Sequence, residues 1–196
     1  MSSYCLSLCS FEFSPKLHAA KQVTAMANRI PRVPVREQDP KVRATNFEEV
    51  CYGYNDQEAA LEASRCLNCK NPRCVQACPV SINIPEFIKH VTEGNLQQAA
   101  DTIAVDSSLP SVCGRVCPQE SQCEGSCVLG IKGEAVAIGK LERYVGDWRI
   151  ANADSLPKPE ITPNGHRVAV VGSGPSGLAC ASDLARLGYE VKIFEA

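Results

Sequence analysis

The chain has 196 residues, 44% of them hydrophobic and 21% charged, with a formal net charge of −2. That balance is ordinary globular content, excludes a strongly basic nucleic-acid-binding surface, and leaves no apolar run of the length that crosses a bilayer. Twelve cysteines are the outlying count, and because thiolates held by metal persist in a reducing compartment the chain reads as cytoplasmic.

Residues 1–45 read as an extended or leader segment. Residues 1–25 have no basic stretch followed by a sustained apolar core and a cleavage site, which argues against a secretory signal. Met26 is a candidate true start, in which case Cys5 and Cys9 fall outside the functional chain. Arg29-Ile-Pro-Arg-Val-Pro-Val35 is basic and extended, because each proline pushes the preceding residue toward β or polyproline geometry.

Residues 46–150 read as a helical domain. Asn55-Asp-Gln-Glu58 has the form of a capping box that opens a helix through Ala59, Ala60, Leu61 and Ala63, running out as Cys66 arrives. Ile84-Pro85 opens a second helix with Phe87, Ile88 and Val91 on its buried face, closed by Gly94. Leu96–Ile103 forms a short partner. A loop with Pro110, Gly114, Pro118 and Gly125 follows, and a last helix is expected over Ala135–Trp148, carrying Ile138, Leu141 and Val145. This core is thin enough to need a metal centre for its stability.

Within that domain, eight cysteines fall in two blocks: Cys66-x2-Cys69-x4-Cys74-x3-Cys78-Pro79 and Cys113-x3-Cys117-Pro118-x4-Cys123-x3-Cys127. A four-iron cluster needs four ligands around a compact cage, so its signature is a tight run plus a remote residue. In two-cluster ferredoxin-like domains the last cysteine of a run ligates the other cluster, and a proline often follows it. The spacing predicts two clusters with ligands crossing between the blocks. Structural zinc shares the Cys-x2-Cys hook but leaves the Cys-Pro steps unexplained. Disulfides and unconnected thiols are the other readings.

Residues 151–165, with Pro157, Pro159, Pro163 and Gly165, read as a linker. Residues 166–196 then change pattern. Val168–Val171 is a short strand, Gly172-Ser173-Gly174-Pro175-Ser176-Gly177 follows at once, Leu178–Leu187 is helical, and Val191–Phe194 is a second strand ending in Glu195. This is a βαβ dinucleotide fingerprint in the context it requires. The glycines permit a tight turn, close approach of backbone to a pyrophosphate, and close helix packing, while the helix N-terminus offers free N–H groups. Glu195 stands at the spacing of a carboxylate for ribose hydroxyls, which favours FAD or NAD(H) over a 2′-phosphate. Cys180 is expected in the core. No catalytic side chain is assigned. The fold class is mainly α: a helical double [4Fe-4S] ferredoxin-like domain followed by the first βαβ unit of a Rossmann-type FAD domain.

The run Cys66-Leu-Asn-Cys-Lys-Asn-Pro-Arg-Cys-Val-Gln-Ala-Cys-Pro79, the run Cys113-Gly-Arg-Val-Cys-Pro-Gln-Glu120 and Ile138-Gly-Lys-Leu-Glu-Arg-Tyr144 resemble the small subunit of glutamate synthase. They also resemble its relatives, the large subunit of NADH-dependent ferredoxin:NADP oxidoreductase and the N-terminal portion of dihydropyrimidine dehydrogenase. The resemblance covers about residues 27–196. It implies an oxidoreductase subunit in which NADPH reduces FAD and electrons pass singly through two [4Fe-4S] clusters to a partner, the large catalytic glutamate synthase subunit or another acceptor. It also implies a ligand division: Cys66, Cys69, Cys74 and Cys127 for one cluster, and Cys78, Cys117, Cys123 and Glu142 for the other. Taken by itself Glu142 reads as a solvated helix-face residue, and Cys113 is a structural thiol that geometry alone lets replace it. Relatives of this family continue well past the second strand, so the FAD site is expected to be incomplete here and the 196 residues inactive alone. A non-catalytic ferredoxin-like carrier, a subunit of a bifurcating ferredoxin:NADP oxidoreductase, and a zinc-bound docking scaffold are the competing readings.

Overall fold

The computed structural model describes residues 30–157 and 159–196; Met26, Cys5 and Cys9 lie outside them. Residues 31–35 hold no regular element, as their two prolines dictate. They lead into β1 (Arg36–Glu37), which pairs antiparallel with β2 (Cys51–Gly53). Between them Asp39 accepts from Lys41 N and caps the single turn α1 (Pro40–Arg43).

Helix α2 (Asp56–Ala63) has the capping box in full: the Asn55 side chain accepts from Glu58 N and the Glu58 carboxylate accepts from Asn55 N. It stops before Cys66, and a short turn, α3 (Arg73–Gln76), sits inside the first cysteine block. Helix α4 (Ile84–Thr92) carries Pro85 in its first turn and buries Phe87, Ile88 and Val91. Gly94 ends it at φ +75°, a conformation that glycine adopts without a side-chain penalty.

Three boundaries in the helical domain differ from the sequence reading. Helix α5 spans Leu96–Asp106, because nothing after Ile103 stops a helix until Ser107 turns extended. The second block is not all loop: Pro110–Val116 forms α6. Pro110 occupies a tolerated first-turn position, and Gly114 serves close packing in place of a turn. Helix α7 spans Ile138–Ala151, three residues later than the period suggests, because the carbonyls of Glu134 and Ala135 are taken by Arg65.

Helices α2, α4, α5, α6 and α7 pack around one core whose fully buried side chains include Phe87, Ile88, Ile103, Leu141 and Val145. The α6–α7 crossing is unusually close. A Cβ at Gly114 would lie 2.6 Å from both Arg143 N and Gly139 O, and one at Gly146 would lie 2.6 Å from Ser111 N. Glycine at these places is what lets Cys113 on α6, and Cys117 just after it, approach the buried face of α7.

The last unit consists of β3 (Arg167–Val171), α8 (Pro175–Arg186) and β4 (Glu190–Phe194), with the strands parallel in register from Arg167↔Glu190 to Val171↔Phe194. Helix α8 begins at Pro175, earlier than its first apolar residue suggested, because proline suits a first turn. Among the described residues no helix is long and apolar enough to cross a membrane.

Candidate metal centres and nucleotide turn

The first cysteine block begins where α2 ends. Asn68, inside Cys66-x2-Cys69, takes a left-handed φ of +46°, which turns its N–H back onto the Cys66 sulfur. Short polar side chains tolerate this region best. Burial pushes the Cys66 thiol up; the Asn68 N–H works against that, and nearby Cys127 and Cys69 add to it. Cys74 is pushed up to about 11, by burial first and then by Cys66 and Cys127, with N–H groups of Val75 and Cys74 on its sulfur.

Cys66, Cys69, Cys74 and Cys127 line one cavity, walled by Ile84, Ile88, Leu129, Val136 and Ile138. Four sulfurs, backbone N–H groups turned toward them and an apolar shell are the donor set that an iron–sulfur cluster uses. The ten cysteines among the described residues are free thiols. Among the described residues no three His, Cys, Asp or Glu side chains converge closely enough to hold a single metal ion.

Of the second set, Cys78 ends the first block, Cys113 lies on α6, and Cys117 and Cys123 follow in the loop after it. Burial pushes Cys117 up to about 11, with Cys113, Glu142 and Cys78 adding to the effect. Cys123 is pushed up to about 12 by burial, with Glu124, Glu142 and Cys78 contributing and the Glu124 N–H opposing. Cys117 and Cys123 therefore each have Cys78 and Glu142 as neighbours, and Cys117 also has Cys113. Ser81, after the Cys78-Pro79 step, takes φ +60°, a second left-handed residue beside a block.

Glu142 is not solvated. It is 7% exposed, and its Oε1 is buried with no hydrogen-bond partner. Burial alone raises its carboxyl to about 7. A carboxylate in that position costs several kcal/mol unless a cation or ligand meets it, so its chemistry fits a metal-facing oxygen. Cys113 lies in the same neighbourhood, its Sγ 4.0 Å from Ser107 Oγ.

In the last unit Gly172 turns at φ +97° and donates its N–H to Phe194 O at 2.8 Å. A side chain at Gly177 would strike the Gly172 carbonyl, while around Gly174 the space is open. Gly174 is the N-cap of α8 and makes no side-chain cap bond, which leaves the cradle a pyrophosphate uses. Ser173, Pro175 and Ser176 complete the turn. Glu195 follows β4 and its Oε2 accepts from Ser173 N at 2.5 Å, so the acidic residue and the glycine turn are adjacent. Cys180 is exposed and not in the core; the contacts of α8 fall chiefly on its two strands.

Sequence reasoning overlooked a set of charged residues beside the cysteines. Glu62 and Arg65 form a buried pair at 2.5 Å, and Glu124 pairs with Arg32 at 2.7 Å. At i,i+3 on a helix, Glu62 and Arg65 look like a surface pair. The available signal was their position, with Arg65 next to Cys66 and Glu124 next to Cys123.

The family described as dihydropyrimidine dehydrogenase domain II, 4Fe-4S cluster, matches residues 43–154. The family described as pyridine nucleotide-disulphide oxidoreductase matches residues 125–196. The chain is 41% identical over 179 residues to the glutamate synthase [NADPH] small chain of Halomonas elongata, covering 87% of this chain and 38% of that one. It is 40% identical over 155 residues to the protein of the same name from Escherichia coli (strain K12), covering 79% of this chain and 33% of that one. It is 36% identical over 149 residues to a Salmonella typhi homolog of an NAD-dependent dihydropyrimidine dehydrogenase subunit, covering 76% and 36%. The chain thus spans less than two fifths of the length of each of these relatives.

Proposed function

The chain belongs to the family described as dihydropyrimidine dehydrogenase domain II, 4Fe-4S cluster, and from that premise we propose that it is the electron-input module of an NAD(P)H-dependent oxidoreductase. The observation that carries the reading is Glu142, a buried carboxylate with an unpartnered oxygen among Cys78, Cys117 and Cys123. It completes a set of four donors where the cysteines supply only three from the expected group.

Two [4Fe-4S] clusters, when bound, supply one-electron steps between a flavin and an acceptor. Cys66, Cys69, Cys74 and Cys127 would hold one in their apolar cavity, where the N–H groups of Asn68 and Val75 would tune the sulfurs. Cys78, Cys117, Cys123 and Glu142 would hold the other. Oxygen is a harder donor than sulfur, so Glu142 sets that cluster apart in potential. Gly172, Ser173, Gly174, Pro175, Ser176 and Gly177 form the phosphate cradle for FAD, with Glu195 as its ribose-side carboxylate. The electrons come from NADPH and leave to a large catalytic subunit for glutamate synthesis from glutamine and 2-oxoglutarate, the reading that the two small-chain relatives favour.

The test is iron and acid-labile sulfide per chain on anaerobically purified protein, with an electron paramagnetic resonance spectrum after reduction. About eight of each, with coupled signals, is the expected result for two four-iron clusters. Zinc without sulfide would refute the reading and leave a metal-stapled docking domain.

A further inference from the structure

Helix α7 carries Glu142, yet it starts from Ala137, which has no side chain able to cap it. A helix start leaves backbone N–H groups without intrahelical partners. Here two carboxylates from distant parts of the chain meet them. Glu62 Oε1 accepts from Ala137 N at 2.8 Å, and Glu124 Oε1 accepts from Gly139 N at 3.0 Å. Each belongs to a cysteine-bearing segment: Glu62 lies at the end of α2, just before Cys66, and Glu124 adjoins Cys123.

Both carboxylates are buried, and each is matched by an arginine. Arg65 Nη1 donates to Glu62 Oε1 at 2.5 Å, and Arg32 Nη2 donates to Glu124 Oε2 at 2.7 Å. Arg32 comes from the proline-flanked stretch that the sequence marked as basic and extended. The same stretch is tied down at further points. Val33 N donates to Glu62 Oε2 at 2.7 Å, Arg65 Nε donates to Ile30 O at 3.1 Å, and Tyr54 Oη donates to Val33 O at 2.6 Å. The strap, both cysteine blocks and the start of α7 thus meet in one hydrogen-bonded knot.

We propose that Glu62 and Glu124 are positioning residues for the second ligand set: they fix the first turn of α7, and so hold Glu142 one turn further on against Cys117 and Cys123. Arg32 braces Glu124 in that role. The inference rests on the iron–sulfur reading above. Glu124 is the sharper of the two to test, because it sits in the second block.

The experiment compares the full chain with Glu124→Ala and Glu124→Gln, reading iron and sulfide content, the two reduction potentials, and amide hydrogen exchange over residues 137–142. In Glu124→Ala iron falls from about eight toward about four per chain, the surviving signal belongs to the Cys66 set, and exchange at Gly139 accelerates at least tenfold. Glu124→Gln keeps a carbonyl to accept from Gly139 N, so it restores the iron content while shifting the potential of one cluster. Unchanged iron and unchanged potentials in Glu124→Ala overturn the proposal, and so does equal loss of both clusters, which is the mark of a general structural role. Should Glu124→Ala fail to fold, Arg32→Ala removes the partly exposed brace, and with it a 3.4 Å bond to Ala135 O, while leaving the Glu124 carboxylate in place. It is expected to speed chelator removal of one cluster and not the other, and equal rates for both overturn the proposal. A parent chain without sulfide fails the iron–sulfur reading itself, and the assay on the unsubstituted chain registers that before any variant is made.

Discussion

Gly114→Ala adds one methyl group at the α6–α7 crossing. Its carbon would sit 2.6 Å from Arg143 N and Gly139 O, about 0.8 Å inside ordinary van der Waals contact, which begins at 3.4 Å. Two of its three nearest atoms are backbone of α7, so no rotamer change relieves the clash and the helices must separate. Overpacking costs about 1–3 kcal/mol, and this rigid site belongs near ~3. Replacing a helical glycine by alanine offsets about 1 kcal/mol of that. The net destabilisation is therefore ~2 kcal/mol, or roughly 4–8 °C in Tm for a chain of this size. Thermal unfolding of the anaerobic protein, followed by circular dichroism and by loss of cluster absorbance, measures it. Gly130→Ala is the control, since its added carbon would lie 3.6 Å from Ala135 Cβ, an ordinary contact, and surface-type changes of this kind stay within about 0.5 kcal/mol. A Gly114→Ala protein that melts with the parent, or a Gly130→Ala protein that falls equally, would refute the close-packing argument.

Other perturbations follow from the same geometry. Arg65→Ala leaves Glu62 buried and without its 2.5 Å partner, a loss of about 3–5 kcal/mol that denaturant titration reads directly; a loss near zero would mean that water or another cation replaces the arginine. Glu142→Ala is expected to halve the iron content while Cys113→Ala keeps it, and the opposite pattern would assign the fourth ligand to Cys113. Arg115 binds Glu49 at 2.7 Å and Asp147 at 2.8 Å. The hydrogen bond from Arg115 holds the Glu49 carboxyl below its ordinary range; at Asp147 burial pushes the other way, but hydrogen bonds from Arg115 and Arg143 outweigh it. Because both folded-state values are depressed, the stabilisation is complete above the ordinary carboxylate range and is lost as pH falls through the folded-state values. Arg115→Ala should therefore flatten the acid limb below about pH 4 by up to ~1 kcal/mol, a small figure because the pair is solvent-screened. A parent and variant with parallel acid limbs would contradict this.

The cysteines, the capping box at Asn55 and the βαβ unit were legible in the sequence because each is a local pattern: a spacing, an i,i+3 exchange, a glycine run between strands. What was not legible depends on distant partners. The start of α7 could not be read from Ala135–Ile138, since its caps are Glu62 and Glu124. Helix α6 was hidden because Gly114 is ordinarily a breaker, and only the nearness of α7 makes it a spacer. The burial of Glu142 likewise follows from tertiary packing, as its helix face otherwise looks polar. Cys180 misled for the reverse reason: its helical position is an interior one only when something covers α8.

The remote capping of α7 also orders events in time. A helix with its own serine or aspartate cap can form as soon as its residues exist, but this one waits for loop closure with Glu62, separated by 75 positions in the chain. Closure over that distance is entropically slow relative to local contacts. During synthesis both cysteine blocks are therefore complete before the turn leading to Glu142 can set. Of the proposed donors, the oxygen is the last to arrive.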